Sequence, residues 1–425
     1  MTDQQTSGQW LRIVGFGEDG WSGLSDAART LVSSADVLVA GERHFRILDE
    51  SPEQAGFAPV DQERIVWESP FGAMLDRVES LKDRFASVCV LATGDPMCFG
   101  VGASLSRRVP AEEILLVPGQ SAFSLMAARL CWPLMECELL TIHGRAVEQL
   151  HQKLVDGARL LLLSADEKSP AAVAEILRAR GFGQSRMTVF EHMGGDDERR
   201  LDGTAEDWPH EPGASFNAIA VGCVADEDAL SFSLAPGLPD DAFVHDGKMT
   251  KRIVRAATLA MLQPMPGQLL WDLGAGSGSI AIEWMRAAPR TKAVAVERED
   301  SRLAMIGENA IRLGTPDLQI VKGSLPSVLD ELTALEKIAS PDAIFIGGGA
   351  TADGLVERCW ELLKPGGRLV ANAVTLEGEA KVMEWHKTYG GELNRIAVNQ
   401  ASPVGPFYGW RPAMPVTQYV VNKKR

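Results

Sequence analysis

Short apolar runs alternate along most of the chain with segments whose apolar residues recur at helical spacing. The runs have the length and β-branched content of buried strands, and the segments between them are typical of amphipathic helices. Ser25, for instance, precedes a segment with Ala28, Leu31 and Val32 on one face, which predicts a serine-capped helix. In the first half of the chain the predicted strands are 11–16, 37–40, 87–93, 114–117, 159–163, 187–190 and 218–221.

A second strand–helix series follows a predicted helix that begins after Thr250. Strands that are apolar throughout must be covered on both faces, so both series predict the α/β class. We expect a doubly wound sheet of about five or six parallel strands in the second series. Its predicted strands are 268–273, 292–297, 318–321, 343–346 and 368–373, and its predicted helices include 279–288, 302–313 and 353–363.

The composition changes between the two series. The acidic stretch ADEDA occupies 225–229, and the sequence PGLPDD follows at 236–241. Together they predict a linker over residues 226–242. We therefore predict one domain over 1–225 and another over 243–425. No sequence repeat relates the two, so they do not read as a duplicated domain.

Composition and charge limit the partners of such a chain. With 425 residues, 45% of them hydrophobic and 23% charged, the protein is globular rather than disordered. The net charge is −15, yet residues 236–425 carry 21 acidic and 22 basic side chains, so the negative excess lies in the first part. An acidic half disfavours nucleic-acid binding, which needs a positive field. The near-neutral second half is compatible with an anionic small substrate.

Targeting and metal-binding signals are absent from the sequence. The start of the chain has no basic stretch followed by an apolar run, and no apolar stretch reaches the length that spans a membrane. None of the six cysteines forms a C-x-x-C pair, so we expect buried thiols in a reducing compartment and no metal site. The prediction is a soluble cytoplasmic protein with no membrane partner.

The motif with the clearest chemistry lies at residues 269–279, LLWDLGAGSGS. A predicted strand ends in an acid, Asp272, and is followed by G-x-G-x-G at the start of a predicted helix. A dinucleotide site needs G-x-G-x-x-G, so that a pyrophosphate meets the helix N-terminus. Here the third glycine comes one residue early, and Asp272 would repel a pyrophosphate but suit an ammonium group. Glu297 ends the next predicted strand, where a carboxylate can hold both hydroxyls of a ribose.

This stretch resembles the class I S-adenosylmethionine (SAM) methyltransferases, and the LKPGG turn at 363–367 is a second mark of that family. The resemblance implies a Rossmann-like fold that binds SAM. It places Gly323 and Ser324 near the adenine, although many members have an acid where this chain has Ser324. The other implied cofactor contacts are Thr250, Asp272, Gly274, Ala275, Gly276, Ser277, Gly278 and Glu297.

A group of cations precedes the glycine-rich motif, in the sequence HDGKMTKRIVR at 245–255. Cations beside a helix N-terminus form an anion site, although a solvated basic first turn is the ordinary alternative. The pattern H-D-G-x-x-T-K-x-x-V-R resembles the CbiT family of cobalamin biosynthesis, as do residues 347–349 and 372–377. We expect His245, Lys248, Lys251 and Arg255 to hold carboxylates of the substrate, with His245 as a possible acid.

Three loops in the first half each follow a predicted strand. They contain G-F-G at 15–17, G-D-P at 94–96 and P-G-Q-S-A at 118–122. Singly they are ordinary turns, but as a set they resemble the tetrapyrrole methylases, class III SAM enzymes with a two-lobed fold. The H-G-R at 143–145 is similar to the CbiE branch. Two departures stand out: G-F-G-E-D-G replaces the common G-x-G-P-G-D, and Ala122 replaces a serine.

The resemblance places SAM between the two lobes of this first domain. The implied cofactor contacts are Gly15, Gly17, Gly94, Asp95, Pro96, Ser121 and Ala122. Asp95 and His143 are candidates for catalysis there. Each has an ordinary alternative, Asp95 as a capping residue and His143 as a hydrogen-bonded structural histidine.

The order of the two modules resembles the fused C(5,15)-methyltransferases of cobalamin biosynthesis. This implies two SAM sites, methylation of a precorrin at carbons 5 and 15, and loss of carbon dioxide from its ring C acetate. Carbon 5 would belong to 1–225, and carbon 15 with decarboxylation to 243–425. The relatives imply a homo-oligomer, a tetramer through the second domain. Three alternatives remain. The acidic first half disfavours an RNA methyltransferase, and the cation group at 245–255 disfavours a SAM-binding regulator without activity. The glycine spacing disfavours a nicotinamide oxidoreductase.

Overall fold

The structure is a computed structural model that describes residues 8–50, 62–334 and 339–425. Its contacts divide the chain into two compact units. The first runs to Arg145 and resumes over Val155–Ala229; the second comprises Ala146–Leu154 and Leu230–Arg425. Among the described residues, no helix combines the length and the apolar character that crossing a bilayer requires.

The first unit begins with a five-stranded parallel sheet of strand order β3-β2-β4-β1-β5. All seven predicted strands of this unit, 11–16, 37–40, 87–93, 114–117, 159–163, 187–190 and 218–221, recur within a residue of the expected bounds. Ser25 caps the first helix by accepting from the Ala28 N–H, as predicted. The elements are β1 (Leu11–Phe16), α1 (Asp26–Ser33), β2 (Val37–Ala40), α2 (Glu42–Glu50), β3 (Glu63–Val66), α3 (Phe71–Ser80), β4 (Val88–Thr93), α4 (Val101–Leu105), β5 (Ile114–Val117) and α5 (Ala122–Leu130).

A second sheet of this unit has the order β6-β7-β10-β8-β9. Only β6 and β7 are parallel, and the other pairs are antiparallel, which the sequence did not reveal. Phe123 and Met126 of α5 pack on this sheet against Leu161 and Phe190. The elements are β6 (Cys137–Thr141), β7 (Arg159–Leu163), α6 (Ser169–Ala179), β8 (Arg186–Glu191), β9 (Arg199–Thr204) and β10 (Asn217–Gly222).

The second unit contains a seven-stranded sheet of order β13-β12-β11-β14-β15-β19-β16. The first five strands are parallel, and β19 runs antiparallel to both of its neighbours, β15 and β16, so that β16 has the direction of the first five. Its elements are α7 (Arg252–Leu262), β11 (Leu269–Leu273), α8 (Ser279–Ala287), β12 (Lys292–Glu297), α9 (Asp300–Arg312), β13 (Gln319–Lys322), α10 (Val328–Ala334), β14 (Ala343–Ile346), α11 (Leu355–Leu362), β15 (Arg368–Ala373), α12 (Leu376–Tyr389), β16 (Glu392–Ile396), β17 (Asn399–Val404), β18 (Phe407–Pro412) and β19 (Val416–Asn422).

The predicted linker 226–242 is in part an anchored segment, since its residues from Leu230 onward belong to the second unit. Leu238 and Ala242 are buried in the same cluster as Trp284. The backbone N–H groups of Gly237 and Leu238 donate to the buried carboxylate of Glu283, at 2.5 and 3.0 Å. The proline- and aspartate-rich composition that suggested a linker therefore reflects an irregular but ordered segment whose backbone is satisfied by one side chain.

Candidate cofactor and substrate sites

The glycine-rich turn of the second unit connects β11 to α8. Gly274, Gly276 and Gly278 have φ values of 74°, 60° and 79°, which other L-residues rarely adopt. A Cβ at Gly274 would lie 2.8 Å from the backbone nitrogen of Gly348, in the loop after β14. The turn therefore needs glycine both for its left-handed backbone and for close approach to a neighbouring loop. Ala275 lies in the same turn, where its carbonyl accepts from the Gly278 N–H at 2.9 Å.

Two buried polar atoms at this turn have no hydrogen-bond partner among the described residues. They are Oδ1 of Asp272 and Oγ of Ser277. Asp272 Oδ2 accepts from the Ala281 N–H at 3.0 Å, so that only one carboxylate oxygen is used. Burial raises the pKa of Asp272 to about 7; the Ala281 hydrogen bond opposes this shift and the charge of Glu297 adds to it. A ligand with a cationic group would satisfy the free oxygen and restore the ionised form.

Glu297 ends β12 beside the same turn and is 5% exposed. Its Oε2 accepts from the Gly276 N–H at 2.9 Å, and its Oε1 accepts from the Arg298 and Glu299 N–H groups at 2.8 and 3.2 Å. These bonds fix the carboxylate while leaving lone pairs for a hydroxyl donor. Gly323 donates to the Glu297 carbonyl at 3.0 Å, which brings Gly323 and the exposed Ser324 to this strand end.

The residues at the carboxyl edge of this sheet fit SAM. The orphaned Asp272 oxygen suits its ammonium group, the fixed Glu297 carboxylate suits its ribose hydroxyls, and the glycines admit close backbone approach. The structure thus brings together the glycine-rich turn, Asp272, Glu297 and Gly323, which the sequence predicted as one site. Ser277 contributes its unpaired hydroxyl.

The cation-bearing segment divides into exposed and buried parts. Lys248 and Lys251 are exposed, and Lys251 is the N-cap of α7, whose first turn receives no side-chain cap. His245 is half-buried, and its Nδ1 accepts from the Gly247 N–H at 2.9 Å. Two ammonium groups beside an uncapped helix N-terminus form an environment that favours an anion.

Arg255 does not belong to that environment, which corrects its predicted role. The side chain is fully buried and pairs with Glu283 at 2.5 Å and Asp240 at 3.0 Å. It also donates to the backbone carbonyls of Thr250, at 2.6 Å, and Leu238. Four of its five N–H donors bind groups of the fold and the side chain is fully buried, so Arg255 holds the start of α7 in place and is not exposed to a substrate carboxylate. Thr250 contributes to this anchoring through its carbonyl.

In the first unit three glycines converge at the carboxyl ends of neighbouring parallel strands. Gly15 is in β1, Gly94 follows β4, and Gly119 follows β5. The Gly119 N–H donates to the Gly94 carbonyl at 3.2 Å. A Cβ at Gly15 would overlap the backbone of both Gly94 and Gly119. We call this contact between Gly15, Gly94 and Gly119 the glycine cradle. It leaves no room for a side chain, and it lies at the edge where open α/β sheets bind ligands. The glycines therefore let the loops after β4 and β5 approach β1 closely, and SAM binding at these loops stays a prediction.

The other predicted residues of these loops have identifiable local roles. Asp95 Oδ1 accepts from the Met97 N–H at 2.9 Å, so Asp95 caps a turn rather than a helix. Pro96 is buried, with Gly100 and Gly102 packed closely against it. Ser121 is the N-cap of α5, accepting from the Ser124 N–H at 3.1 Å. Two further predicted residues flank these: Ala122 is the first residue of α5, and Gly17 lies against the side chain of Asp19.

A polar network that the sequence did not reveal lies beside Gly94. Thr93 Oγ1 is 2.9 Å from Arg43 Nη2 and 3.0 Å from His44 Nε2. Arg43 also pairs with Glu18, whose Oε2 is 2.9 Å from His192 Nδ1. Burial, and secondarily the charge of Arg43, lower the pKa of His44 to about 4, so that this histidine is neutral at neutral pH. Glu18 stands in the G-F-G-E-D-G segment that departs from the family pattern.

His143 follows β6, and its side chain is exposed. Its backbone N–H donates to Thr141 Oγ1 at 3.2 Å, and no hydrogen bond of the described residues connects its imidazole with the glycine cradle. The neighbouring Arg145 does reach this region, since its guanidinium lies 5.4 Å from the ring centre of Phe99, beyond the G-D-P loop. Phe99 in turn contacts Phe123 of α5.

Comparison with known proteins matches both halves of the chain to methyltransferase families. The family of Tetrapyrrole (Corrin/Porphyrin) Methylases matches residues 11–209, and the Precorrin methyltransferase domain family matches residues 241–423. A precorrin-6Y C(5,15)-methyltransferase [decarboxylating] from Sinorhizobium sp is 44% identical over 414 residues, 97% of this chain and 96% of that protein. The protein of that name from Mycobacterium tuberculosis H37Rv is 40% identical, covering 97% and 99%.

Among solved structures, the C-terminal domain of precorrin-6Y C5,15-methyltransferase from Rhodobacter capsulatus is 42% identical. It covers 45% of this chain and 100% of that domain, with a TM-score of 0.41.

The two domains and their glycine-lined strand ends define a tetrapyrrole methyltransferase of two fused modules. Identity above 40% over nearly the whole length specifies the family further: the chain belongs to the precorrin-6Y C(5,15)-methyltransferase (decarboxylating) family. It is a SAM-using methyltransferase of cobalamin biosynthesis, as the resemblance in its motifs predicted.

Proposed function

We propose that this chain methylates precorrin-6B, the reduced precorrin-6, at carbons 5 and 15 and removes carbon dioxide from the ring C acetate, giving precorrin-8. The first unit would methylate carbon 5, and the second would methylate carbon 15 and decarboxylate. Each unit would bind its own SAM. The observation that carries this proposal is the presence of two separate glycine-lined strand ends, one at Gly15, Gly94 and Gly119 and the other at Gly274, Gly276 and Gly278.

SAM, when bound, supplies an electrophilic methyl group on a cationic sulfur. The bridge carbons of a reduced tetrapyrrole are enamine-like and already nucleophilic, so the protein need not supply a strong base. Its residues position the reactants in line and exclude water, which contributes several kcal/mol to a bimolecular transfer. In the first unit the glycine cradle would set the cofactor's position.

Decarboxylation in the second unit requires that the reacting acetate be less well solvated than the other carboxylates. A protonated ring of the tetrapyrrole can take up the electron pair without a cofactor. Lys248 and Lys251 are exposed at the start of α7 and would bind the non-reacting carboxylates. His245, half-buried beside them, is placed to donate a proton. Arg255 is excluded from this set because its donors are used within the fold.

The test of this function is a mass spectrum of the product from reduced precorrin-6 and excess SAM. The expected product has gained two methyl groups and lost one carbon dioxide. One methyl group without loss of carbon dioxide would contradict the assignment of decarboxylation to this chain. An unchanged tetrapyrrole, with methyl transfer to RNA in a parallel reaction, would replace the proposal with an RNA methyltransferase.

We further propose that the chain forms a homo-oligomer through its second unit. The two-stranded ribbon of β17 and β18 carries large exposed apolar side chains: Phe407, Tyr408 and Trp410 are 74%, 76% and 75% exposed. Large exposed aromatic side chains of this kind are typical of a protein–protein interface. A second copy of the chain is the occupant that the family resemblance implies.

Replacing Phe407 and Trp410 by serine is expected to lower the oligomeric state without unfolding the protein, because both side chains are exposed within one chain. Sedimentation velocity measures the change. Met135, which is 95% exposed in the first unit, provides a control: Met135→Ser should leave the mass unchanged. A monomeric wild type, or an unaltered oligomer in the double variant, would contradict the role of the ribbon.

A further inference from the structure

Helix α9 contacts both the cation-bearing segment and the proposed cofactor site of the second unit. Near its start, Arg302 donates from Nε and Nη2 to Oδ2 of Asp246, at 3.0 and 2.8 Å. The Nη1 atom of the same guanidinium is 3.9 Å from Oε2 of Glu297. That Oε2 accepts from Gly276 in the glycine-rich turn. A continuous set of charged contacts therefore runs from the H-D-G-K segment to the cofactor loop.

The middle of α9 makes the same connection through uncharged groups. Asn309 is fully buried; its Oδ1 accepts from the Val244 N–H at 2.8 Å, and its Nδ2 donates to the Val244 carbonyl at 2.9 Å. Nδ2 also donates to the carbonyl of Ser277 at 3.0 Å. Val244 immediately precedes His245, and Ser277 lies in the glycine-rich turn. One buried amide thus joins the backbones of both segments, so α9 links them at two separate points.

The Asp246 side chain transmits this link to the lysines. Its Oδ1 accepts from the Lys248 N–H at 3.0 Å, while Oδ2 is held by Arg302. The position of the Lys248 backbone therefore depends on a carboxylate whose other oxygen is bound to α9. The hydrogen bond from the Lys248 N–H, and after it the hydrogen bond and charge of Arg302, keep the pKa of Asp246 below its usual value, so that the pair stays ionised.

From these contacts we propose that Arg302 is a positioning residue that couples SAM binding to the placement of the carboxylate-binding segment 245–251. This inference rests on the proposed function, in which Glu297 holds the ribose and Lys248 holds a substrate carboxylate. A ligand that binds Glu297 Oε2 also restrains the guanidinium 3.9 Å from that oxygen, and with it Asp246 and Lys248. By thermodynamic reciprocity, a tetrapyrrole held at 245–251 strengthens SAM binding by the same factor.

The experiment measures carbon-15 methylation by the full chain over a grid of SAM and tetrapyrrole concentrations, and in parallel the Kd of the unreactive cofactor product S-adenosylhomocysteine with and without tetrapyrrole, which should change by the same factor as the KM for SAM. In the wild type, saturating tetrapyrrole is expected to lower the KM for SAM by roughly fivefold, at the lower end of allosteric couplings. In Arg302→Met the KM for SAM at low tetrapyrrole, divided by the KM for SAM at saturating tetrapyrrole, should fall to about one. The same loss is expected in Asp246→Asn, which keeps an oxygen for the Lys248 N–H but loses the charge that holds Arg302. A decline in kcat or in thermal stability alone, with the ratio preserved, would mean a purely structural role and would overturn the inference.

Arg358 provides the matched control. It is a partly exposed arginine of the same unit and binds two carboxylates, those of Asp330 and Glu361. Arg358→Met should retain the wild-type ratio, which excludes a general effect of removing an ion-paired arginine. If Arg302→Met does not fold, Asp246→Asn decides alone, since Asn309 still anchors the segment in that variant. A wild type that methylates no tetrapyrrole would refute the proposed function and this inference with it; an active wild type without coupling refutes only the inference.

Discussion

Asp272→Asn is expected to abolish carbon-15 methylation and decarboxylation while carbon-5 methylation continues. The asparagine keeps an acceptor for the Ala281 N–H but cannot present the free carboxylate oxygen as a negative charge to the ammonium group of SAM. Removing one partner of a buried charge pair costs about 2–5 kcal/mol, which corresponds to a loss of affinity of roughly 30-fold or more. The product mass should show one added methyl group and no loss of carbon dioxide.

Asp342→Asn is the control for this variant. Asp342 belongs to the same unit, where it accepts from the Leu269 N–H at 2.9 Å and pairs with Lys364 at 2.9 Å. Its loss should lower stability without changing the product. If Asp272→Asn still gave the doubly methylated, decarboxylated product at the wild-type rate, Asp272 would not bind the cofactor.

The raised pKa of Asp272 also predicts a pH dependence. Its folded-state pKa of about 7 exceeds the ordinary aspartate pKa of 3.8, so between these values the folded protein binds the proton that the unfolded chain has released. The contribution of this group to stability is therefore complete below pH 4 and is lost as the pH rises through about 7. SAM binding, which needs the ionised form, should change in the opposite sense and weaken below about pH 7. Thermal unfolding of the ligand-free wild type and Asp272→Asn between pH 5 and 8 isolates this contribution.

The elements that the sequence predicted well are those with a local signal. The central strands are apolar throughout, and their predicted bounds agree with the structure to within about two residues. The glycine-rich turn was predicted because its spacing and its flanking acid are adjacent in the chain. Edge strands gave no such signal: β9 reads RRLDGT and β16 reads ELNRI, polar sequences that are typical of exposed edges. The antiparallel strand β19, inserted between β15 and β16, enlarges the sheet to seven strands, beyond the predicted five or six parallel ones.

Side-chain roles that depend on distant partners could not be predicted. Arg255 looked like part of a cation cluster because its neighbours in sequence are basic, yet its partners Glu283 and Asp240 are 28 and 15 residues away. Arg302 and Asp246 are 56 residues apart, and no pattern in either segment indicates that they meet. The pairing of Arg43 with Glu18 could not be predicted either, because these residues meet only where the strand ends converge in the fold. The chemistry of the sites was readable from the loops, whereas their supporting contacts are properties of the tertiary fold.

The reverse pattern of products is expected from Gly94→Ala in the first unit. Gly94 has a φ of 60°, and a Cβ there would lie 2.8 Å from the carbonyl oxygen of Gln120. The methyl group would push apart the loops after β4 and β5 and displace any cofactor held by the cradle. Since an ångström-scale misplacement costs on the order of a hundredfold in rate, carbon-5 methylation should fall by about that factor. Carbon-15 methylation and carbon dioxide release should persist. The product should therefore have gained one methyl group and lost one carbon dioxide.

Gly157→Ala separates this effect from backbone strain. Gly157 has a φ of 76° in the same unit, but a Cβ there meets no atom within 4 Å. Both variants incur the cost of a left-handed alanine, about 1 kcal/mol, and only Gly94→Ala adds the overlap. Gly157→Ala should therefore be less stable but make the complete product. If Gly94→Ala instead lost carbon dioxide release and kept carbon-5 methylation, the two reactions would have to be reassigned between the units. Because Asp272→Asn and Gly94→Ala predict complementary single-methyl products, the pair tests whether each unit holds its own cofactor.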